Sequence, residues 1–363
     1  MTDINQLTQI TSDLIRIKSM QAYPDQIKKC MDYAANFLAG ADINIQHIDS
    51  NGIPNLIVTK EGIKNPDVFL CGHMDVVDAP EDLFEPKIKD NWLYGRGALD
   101  MKSGNAINLL IMKELASTHN IGLMFTGDEE VGGFNGTKIL LDKGYTCKVA
   151  LLPDGGLSPA HIMYKAKGVL FIEINANGKP SHGSRPWQGD NAINLLMKGI
   201  DTVQQLFLPI AEHPDDHWTA TCNIGKIQGG DSTNTVAANA QAICDIRFTE
   251  KDNPQEILQR IQSSLPDGLK AKEIIGAPCT YVAPDNYFVQ AYEKAIRDQN
   301  LEPKFTLDHG SSDARFFTER NIPVIVNQPL GEGHHTDNER VDIPSLLNYY
   351  NIVKNFLDRV AKI

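Results

Sequence analysis

Val68-Phe69-Leu70-Cys71-Gly72-His73-Met74-Asp75 is an apolar run that closes on an imidazole and a carboxylate. An uninterrupted apolar run of this length reads as a strand buried on both faces, as parallel strands are. The pattern recurs twice: Gly122-Leu123-Met124-Phe125 precedes Asp128-Glu129-Glu130, and Val149-Ala150-Leu151-Leu152 precedes Asp154. Polar residues just past such strands lie in the crevice outside the carboxyl edge of an open sheet, where α/β folds build their sites. With Asp100 and a late histidine they form an ordered set: His73, Asp75, Asp100, Glu129, Glu130, Asp154 and His335. A His/carboxylate set with no cysteine ligand suits a catalytic zinc or cobalt site better than a structural one. The expectation is a two-metal hydrolase.

Composition sets the frame. A chain of 363 residues, 42% of them hydrophobic, is long enough for two packed domains. Its formal charge of -12 argues against nucleic acid and anionic membranes as partners. The opening Met1-Thr2-Asp3-Ile4-Asn5-Gln6 lacks the layout of a signal peptide, and no apolar run reaches the length of a membrane span. The six cysteines are scattered, mostly within apolar segments, and read as free thiols of a cytoplasmic protein.

The rhythm of the chain places a second domain. Strand-like and helix-like segments alternate through the first half, which implies a mostly parallel sheet with helices on its faces. After Lys167-Gly168 the order becomes strand 169–176, helix 190–207, strands 220–228 and 238–248, helix 254–265 and strand 269–275. That β-α-β-β-α-β order is the ferredoxin-like unit. Alternation resumes beyond Gly276 and carries His335, so residues 1–166 and 277–363 are expected to form one α/β domain around an inserted α+β domain, 167–276.

Three blocks carry a resemblance over nearly the whole chain: Gly72-His73-Met74-Asp75-Val76-Val77, Leu93-Tyr94-Gly95-Arg96-Gly97-Ala98-Leu99-Asp100-Met101-Lys102 and Thr126-Gly127-Asp128-Glu129-Glu130. In this order, with a late His followed by Asn338-Glu339, they resemble the co-catalytic zinc exopeptidases and deacylases. That family includes desuccinylases, deacetylases, aminoacylases, glutamate carboxypeptidases and di- and tripeptidases. The resemblance implies Asp100 as the bridge between two ions, His73 and Asp154 at one ion, and Glu130 and His335 at the other. It implies Glu129 as general base towards the water between the ions and then as proton donor to the amine. Asp75 resembles the carboxylate that fixes the His73 tautomer. Taken singly, Asp100 also reads as a helix cap near Lys102, and Glu129-Glu130 as a solvated turn.

The resemblance extends into the insert. His182, in Lys179-Pro180-Ser181-His182-Gly183-Ser184, matches a lid histidine that steadies the oxyanion in a neighbouring subunit's site, which implies a homodimer joined through the insert. Asn234 and Arg247 match residues that bind the substrate carboxylate, Arg247 with a pairing to Asp245 or Glu250 as its structural alternative. Ser311 and Ser312 read either as a substrate-side turn or as a helix cap. His334 is assigned to solvent or to support of its neighbour, and His213 and His217 to a polar linker. The Ser311-Ser312-Asp313-Ala314-Arg315 turn fits the desuccinylase/deacetylase branch. Asp at 154, where that branch carries Glu, fits the peptidases. The expected activity is hydrolysis of the amide bond of a small N-acyl amino acid. A metallo-exopeptidase acting on dipeptides is the alternative, and an inactive peptide-binding homologue a third reading.

Overall fold

The computed structural model describes residues 4–40, 43–209 and 217–362. The chain divides into two compact units, one of Met1–Lys165, Tyr281–Asp308 and Ser312–Ile363, the other of Ala166–Thr280 and His309–Ser311. The short His309–Ser311 segment was expected with the outer part of the chain. It joins the smaller unit because the His309 ring packs 5.7 Å from the Trp218 ring.

The larger unit is built on a mixed sheet whose strands run in the order Asn44–Ser50, Ile53–Thr59, Ile121–Thr126, Val68–His73, Val149–Leu152, Val324–Val326 and His161–Ala166. Its centre is parallel: Val68–His73 pairs with Ile121–Thr126 on one side and Val149–Leu152 on the other, and the latter with Val324–Val326. Every residue of Val68–His73, Ile121–Thr126 and Val149–Leu152 is buried, which is why these segments read as unbroken apolar runs. Helices Ile4–Ile15, Pro24–Leu38, Ser103–Leu115, Tyr287–Arg297 and Ile343–Val360 supply buried side chains to its core. In the central register His73 lies beside Thr126, so the residues after each strand emerge at one carboxyl edge.

A small antiparallel sheet was not foreseen. It joins Gly331–Glu332, Arg340–Asp342, Trp92–Tyr94 and Lys87–Lys89. Arg340 pairs with Tyr94 and Val341 with Leu93, so the turn carrying His334 and His335 is fastened to the segment leading into Asp100.

The smaller unit is a four-stranded antiparallel sheet in the order Thr221–Gly229, Asn239–Phe248, Gly168–Asn177 and Leu269–Ala277. Helices Ala192–Gln205 and Pro254–Ser264 seal its core through Leu196, Val203, Ile257 and Ile261 against Leu170, Ile172, Ile174 and Ile246. Asn191 and Asn253 cap the two helices, each accepting backbone N–H bonds from the first turn. Both edge strands are largely exposed, with Ile227 on one and Ile274 and Ile275 on the other facing solvent.

Gly72 shows how tightly the central strand is held. A Cβ there would collide with the Asn105 side chain, whose amide donates to the main-chain oxygen of His73 at 2.5 Å, and would press on Met101. Gly72→Ala is therefore expected to lower stability by about 1–3 kcal/mol through overpacking. A denaturant midpoint equal to that of the parent protein would contradict this.

Candidate metal centre

Asp100 is the hub. Its Oδ1 lies 3.0 Å from His73 Nε2, and its Oδ2 lies 2.7 Å from His334 Nε2 and 3.0 Å from His335 Nε2. On the His73 side, Asp154 Oδ1 is 3.9 Å from His73 Nε2. On the His335 side, Glu130 Oε2 is 3.4 Å from His335 Nε2. Two overlapping groups of convergent ligand atoms result: His73, Asp100 and Asp154, and Asp100, His334 and His335.

The loop that carries Asp100 is gripped by Glu339. This buried carboxylate accepts from the main-chain N–H groups of Gly97 (3.0 Å), Leu99 (2.9 Å) and Asp100 (3.0 Å), and from the Arg96 guanidinium at 2.7 Å. Charge-assisted bonds of this kind are strong, and four on one carboxylate leave the loop little freedom. In the sequence Glu339 stands out only by its spacing from the late histidine. The nearby Arg96 was the available sign that a buried carboxylate needed a partner.

Asp75 faces His73 with both its main chain and its carboxylate. The Nδ1 of His73 bonds the main-chain oxygen of Asp75 at 2.9 Å, while the Asp75 carboxylate stands 3.5 Å away. That carboxylate is occupied elsewhere: it accepts from the main-chain N–H groups of Glu129 (3.3 Å) and Glu130 (3.0 Å) and from Gln21 Nε2 (2.8 Å). One residue thus holds both the imidazole and the Glu129-Glu130 turn. The turn is held from the other side by Arg315, which donates to the main-chain oxygen of Gly132 at 2.7 Å.

The electrostatics are those of a site short of positive charge. Burial, followed by the charge of Asp100, pushes Asp154 well above the usual carboxylate range. Burial, then Asp154, does the same to Glu129. Burial also raises Asp100, but its bonds to His334, His335 and His73 outweigh this and hold it well below that range. The bond to Asp100, then that to Glu130, lifts His335 to about 10. Asp154 Oδ2 is buried with no hydrogen-bond partner among the described residues. An orphaned carboxylate oxygen among convergent imidazoles and acids fits a divalent cation, whose charge would relieve the repulsion.

The remaining candidates lie in the smaller unit or serve the backbone. His182 is exposed, and Ser184 N–H donates to its Nδ1 at 3.2 Å. Its Nδ1 also lies 2.8 Å from Ser184 Oγ, so that ring nitrogen is engaged within its own loop. The loops of His182 and Asn234 meet: Gly183 N–H donates to the Asn234 main-chain oxygen at 2.6 Å, and Ser232 Oγ bonds the Asn234 side chain. Arg247 forks onto Asp245 at 2.7 and 3.2 Å, the pairing that was its structural alternative. It also lines a cavity of about 230 Å³ with Lys167, His217, Thr219, Thr221 and His309. Ser312 is buried and its Oγ accepts from Ala314 N–H at 3.4 Å, a capping contact, and Ser311 belongs to the smaller unit. His213 lies outside the described residues. His217 belongs to neither ligand group, and its main-chain oxygen accepts from Lys167 Nζ at 3.1 Å.

The profile of peptidase family M20/M25/M40 matches residues 69–359. The chain belongs to that family. It is accordingly a metal-dependent hydrolase. A curated relative from Nitrosomonas eutropha, named succinyl-diaminopimelate desuccinylase, is 26% identical over 356 residues, covering 91% of this chain and 93% of the relative. One of the same name from Cereibacter sphaeroides is 28% identical over 382 residues, covering 96% and 98%. Among solved structures, a tripeptidase from Staphylococcus aureus superposes with a TM-score of 0.82 at 23% identity, covering 99% of both chains. An aminopeptidase from Bacillus cereus gives 0.80 at 21%, also covering 99% of both. These structures share the fold. No helix among the described residues is long and apolar enough to cross a membrane.

Removing the Glu339 carboxylate would leave Arg96 buried and unpaired and free three backbone N–H groups. Glu339→Ala is expected to cost about 3–5 kcal/mol, the range for breaking a buried pair. Denaturant unfolding checks it, and a loss under about 1 kcal/mol, the range of an exposed pair, would refute the gripping role.

Proposed function

We propose that this chain hydrolyses the amide bond of a small N-acyl amino acid, using two divalent ions, zinc foremost, with cobalt or manganese able to substitute. The observation that carries the reading is the division of Asp100, with His73 at one oxygen and His335 at the other. A carboxylate shared between two ions needs that division. His73, Asp100 and Asp154 would hold one ion, and Asp100, Glu130 and His335 the other. When bound, the ions polarise the scissile carbonyl and acidify water.

The chain's own residues do the rest. Glu129 stands beside Glu130 on a turn whose two N–H groups are fixed by Asp75. Its burial beside Asp154 raises its affinity for a proton, as a base taking one from water requires. The water oxygen bonds to the carbonyl carbon, the C–N bond breaks, and Glu129 returns the proton to the departing amine nitrogen. His182 Nε2–H donates to the developing oxyanion. Arg247 and Asn234 receive the substrate carboxylate, Ser311 and Ser312 shape the turn beside it, and Asp75 keeps the imidazole and the base in place.

The name carried by the curated relatives supports an acyl amino acid, with a succinyl-bearing diamino acid as the first candidate. Asp at 154 favours the second reading, a metallo-exopeptidase acting on small peptides. A panel of N-succinyl-diaminopimelate, N-acetylornithine, other acyl amino acids and dipeptides, each with zinc, cobalt or manganese, decides between them. Glu129→Gln removes the proton acceptor and no ligand, so it should keep its metal and lose at least about a hundredfold in kcat on whichever substrate is cleaved. Retained turnover, or a lost metal equivalent, would remove Glu129 from the base's role.

The working unit in this reading is a cytoplasmic homodimer joined through the insert, with His182 serving the partner's site. The two exposed edge strands support it, because an open edge is a ready surface for extending a sheet across a two-fold axis. Mixing inactive His182→Ala with inactive Glu129→Gln protein provides the measurement. Subunit exchange should restore activity at one of the two sites of each heterodimer; no recovery after confirmed exchange would place His182 in its own chain's site.

A further inference from the structure

We infer that His334 is itself a metal ligand, so that the ion on the Oδ2 side of Asp100 is held by two adjacent histidines rather than one. The inference rests on the two-ion reading above and adds to it a residue and a metal preference. His334 Nε2 lies 2.7 Å from Asp100 Oδ2, closer than His335 Nε2 at 3.0 Å. The two rings are stacked, 3.9 Å between centroids and 25° between planes, and present the same nitrogen to the same oxygen. Asp100, His334 and His335 each offer one ligand atom, and these lie within 4.8 Å of one another.

Adjacent residues of an extended chain point to opposite sides, so two neighbours facing one oxygen need a local cause. The backbone supplies it: His335 sits at φ 58° and Gly333 at φ 77°. Left-handed conformation at a non-glycine residue is uncommon and gathers at functional sites. The turn is closed by Thr336 N–H on the Gly333 main-chain oxygen at 2.9 Å and fastened by the pairing of Gly331 with Val341 and Glu332 with Arg340. A histidine that only propped its neighbour would bond the outer nitrogen of that neighbour's ring. His334 instead reaches past it to the carboxylate.

The composition of the two positions then differs. His73, Asp100 and Asp154 give one imidazole to two carboxylates, whereas Asp100, Glu130, His334 and His335 give two to two. Imidazole suits zinc, cobalt and nickel, and carboxylates suit manganese and magnesium. The His334 position should therefore prefer zinc or cobalt over manganese more strongly than its neighbour does.

The test uses the full-length protein stripped with a chelator, in wild-type, His334→Ala, His334→Gln and His335→Ala forms. Zinc and manganese affinities come from calorimetric titration, and cobalt coordination from visible absorption. Gln can still donate to Asp100 but replaces an imidazole poorly as a ligand. Both His334 variants should bind one zinc ion at least about tenfold more weakly, with the other zinc and both manganese ions changed less than threefold. The cobalt bands of one site should shift as a nitrogen donor is lost, and His335→Ala should weaken the same site. Full rescue by Gln, equal losses for zinc and manganese, or an unaltered cobalt spectrum would overturn the assignment and leave His334 as a hydrogen-bonding prop for Asp100. Wild-type stoichiometry separately tests the reading beneath it. If one ion binds even in excess metal, the two-ion reading fails, and His334 is then judged on whether its variants lower the zinc-over-manganese preference of that ion.

Discussion

A buried carboxylate at the hub of a site must be held against both its neighbours and its solvation. Asp100 is almost wholly buried and faces Asp154 within the same cluster. Without a fixed backbone, repulsion from the other acids would turn it away, and desolvation would protonate it. Glu339 prevents the first by gripping the main chain on both sides of Leu99, and the three imidazoles oppose the second. The Arg96–Glu339 pair is the support beneath this, since an unpaired acid there would be another burden on a site already rich in acids. The candidate metal centre of the larger unit depends on that chain of support: a carboxylate that holds a loop, a loop that holds a carboxylate, and a carboxylate on which two groups of candidate ligands converge.

Asp75 applies the same device to the opposite wall. Its main-chain oxygen orients the His73 ring while its carboxylate fixes the N–H groups of Glu129 and Glu130. The imidazole on one strand and the acidic turn after the next are thereby set relative to each other by one residue. The parallel register beneath, with His73 beside Thr126, brings them close enough for this to be possible. The geometry of this cluster follows from strand register and is refined by hydrogen bonds to the backbone.

The central sheet was legible because strands buried on both faces leave unbroken apolar runs, and the residues after those runs had to share an edge. Val68–His73, Ile121–Thr126 and Val149–Leu152 are such cases. The alternating burial of Gly168–Asn177 and Asn239–Phe248 made the smaller sheet readable in turn. The small sheet that carries His334 and His335 to Asp100 was not legible, since strands of two or three residues hold no periodicity to detect. Glu339 escaped for a related reason: its partners are mostly main-chain groups, which leave no mark on side-chain identity. His334 reads as solvent or support because His335 has the family's spacing to Glu339, and spacing carries no trace of the left-handed turn at His335 that brings both rings to Asp100.

The two units arrange their charged groups differently. The larger unit gathers acids and imidazoles around Asp100, a donor set suited to a divalent cation. The smaller unit keeps a cavity of its own, which Arg247 lines with Lys167, His217 and His309. Arg247 reaches that cavity already paired with Asp245, two residues along the same strand and on the same face. Any anion entering that cavity would have to share the guanidinium with Asp245 or displace Asp245 from it. Pairing of this kind costs affinity for every ligand and costs least for the one whose geometry matches the remaining N–H donors, which is how a paired arginine sharpens selection.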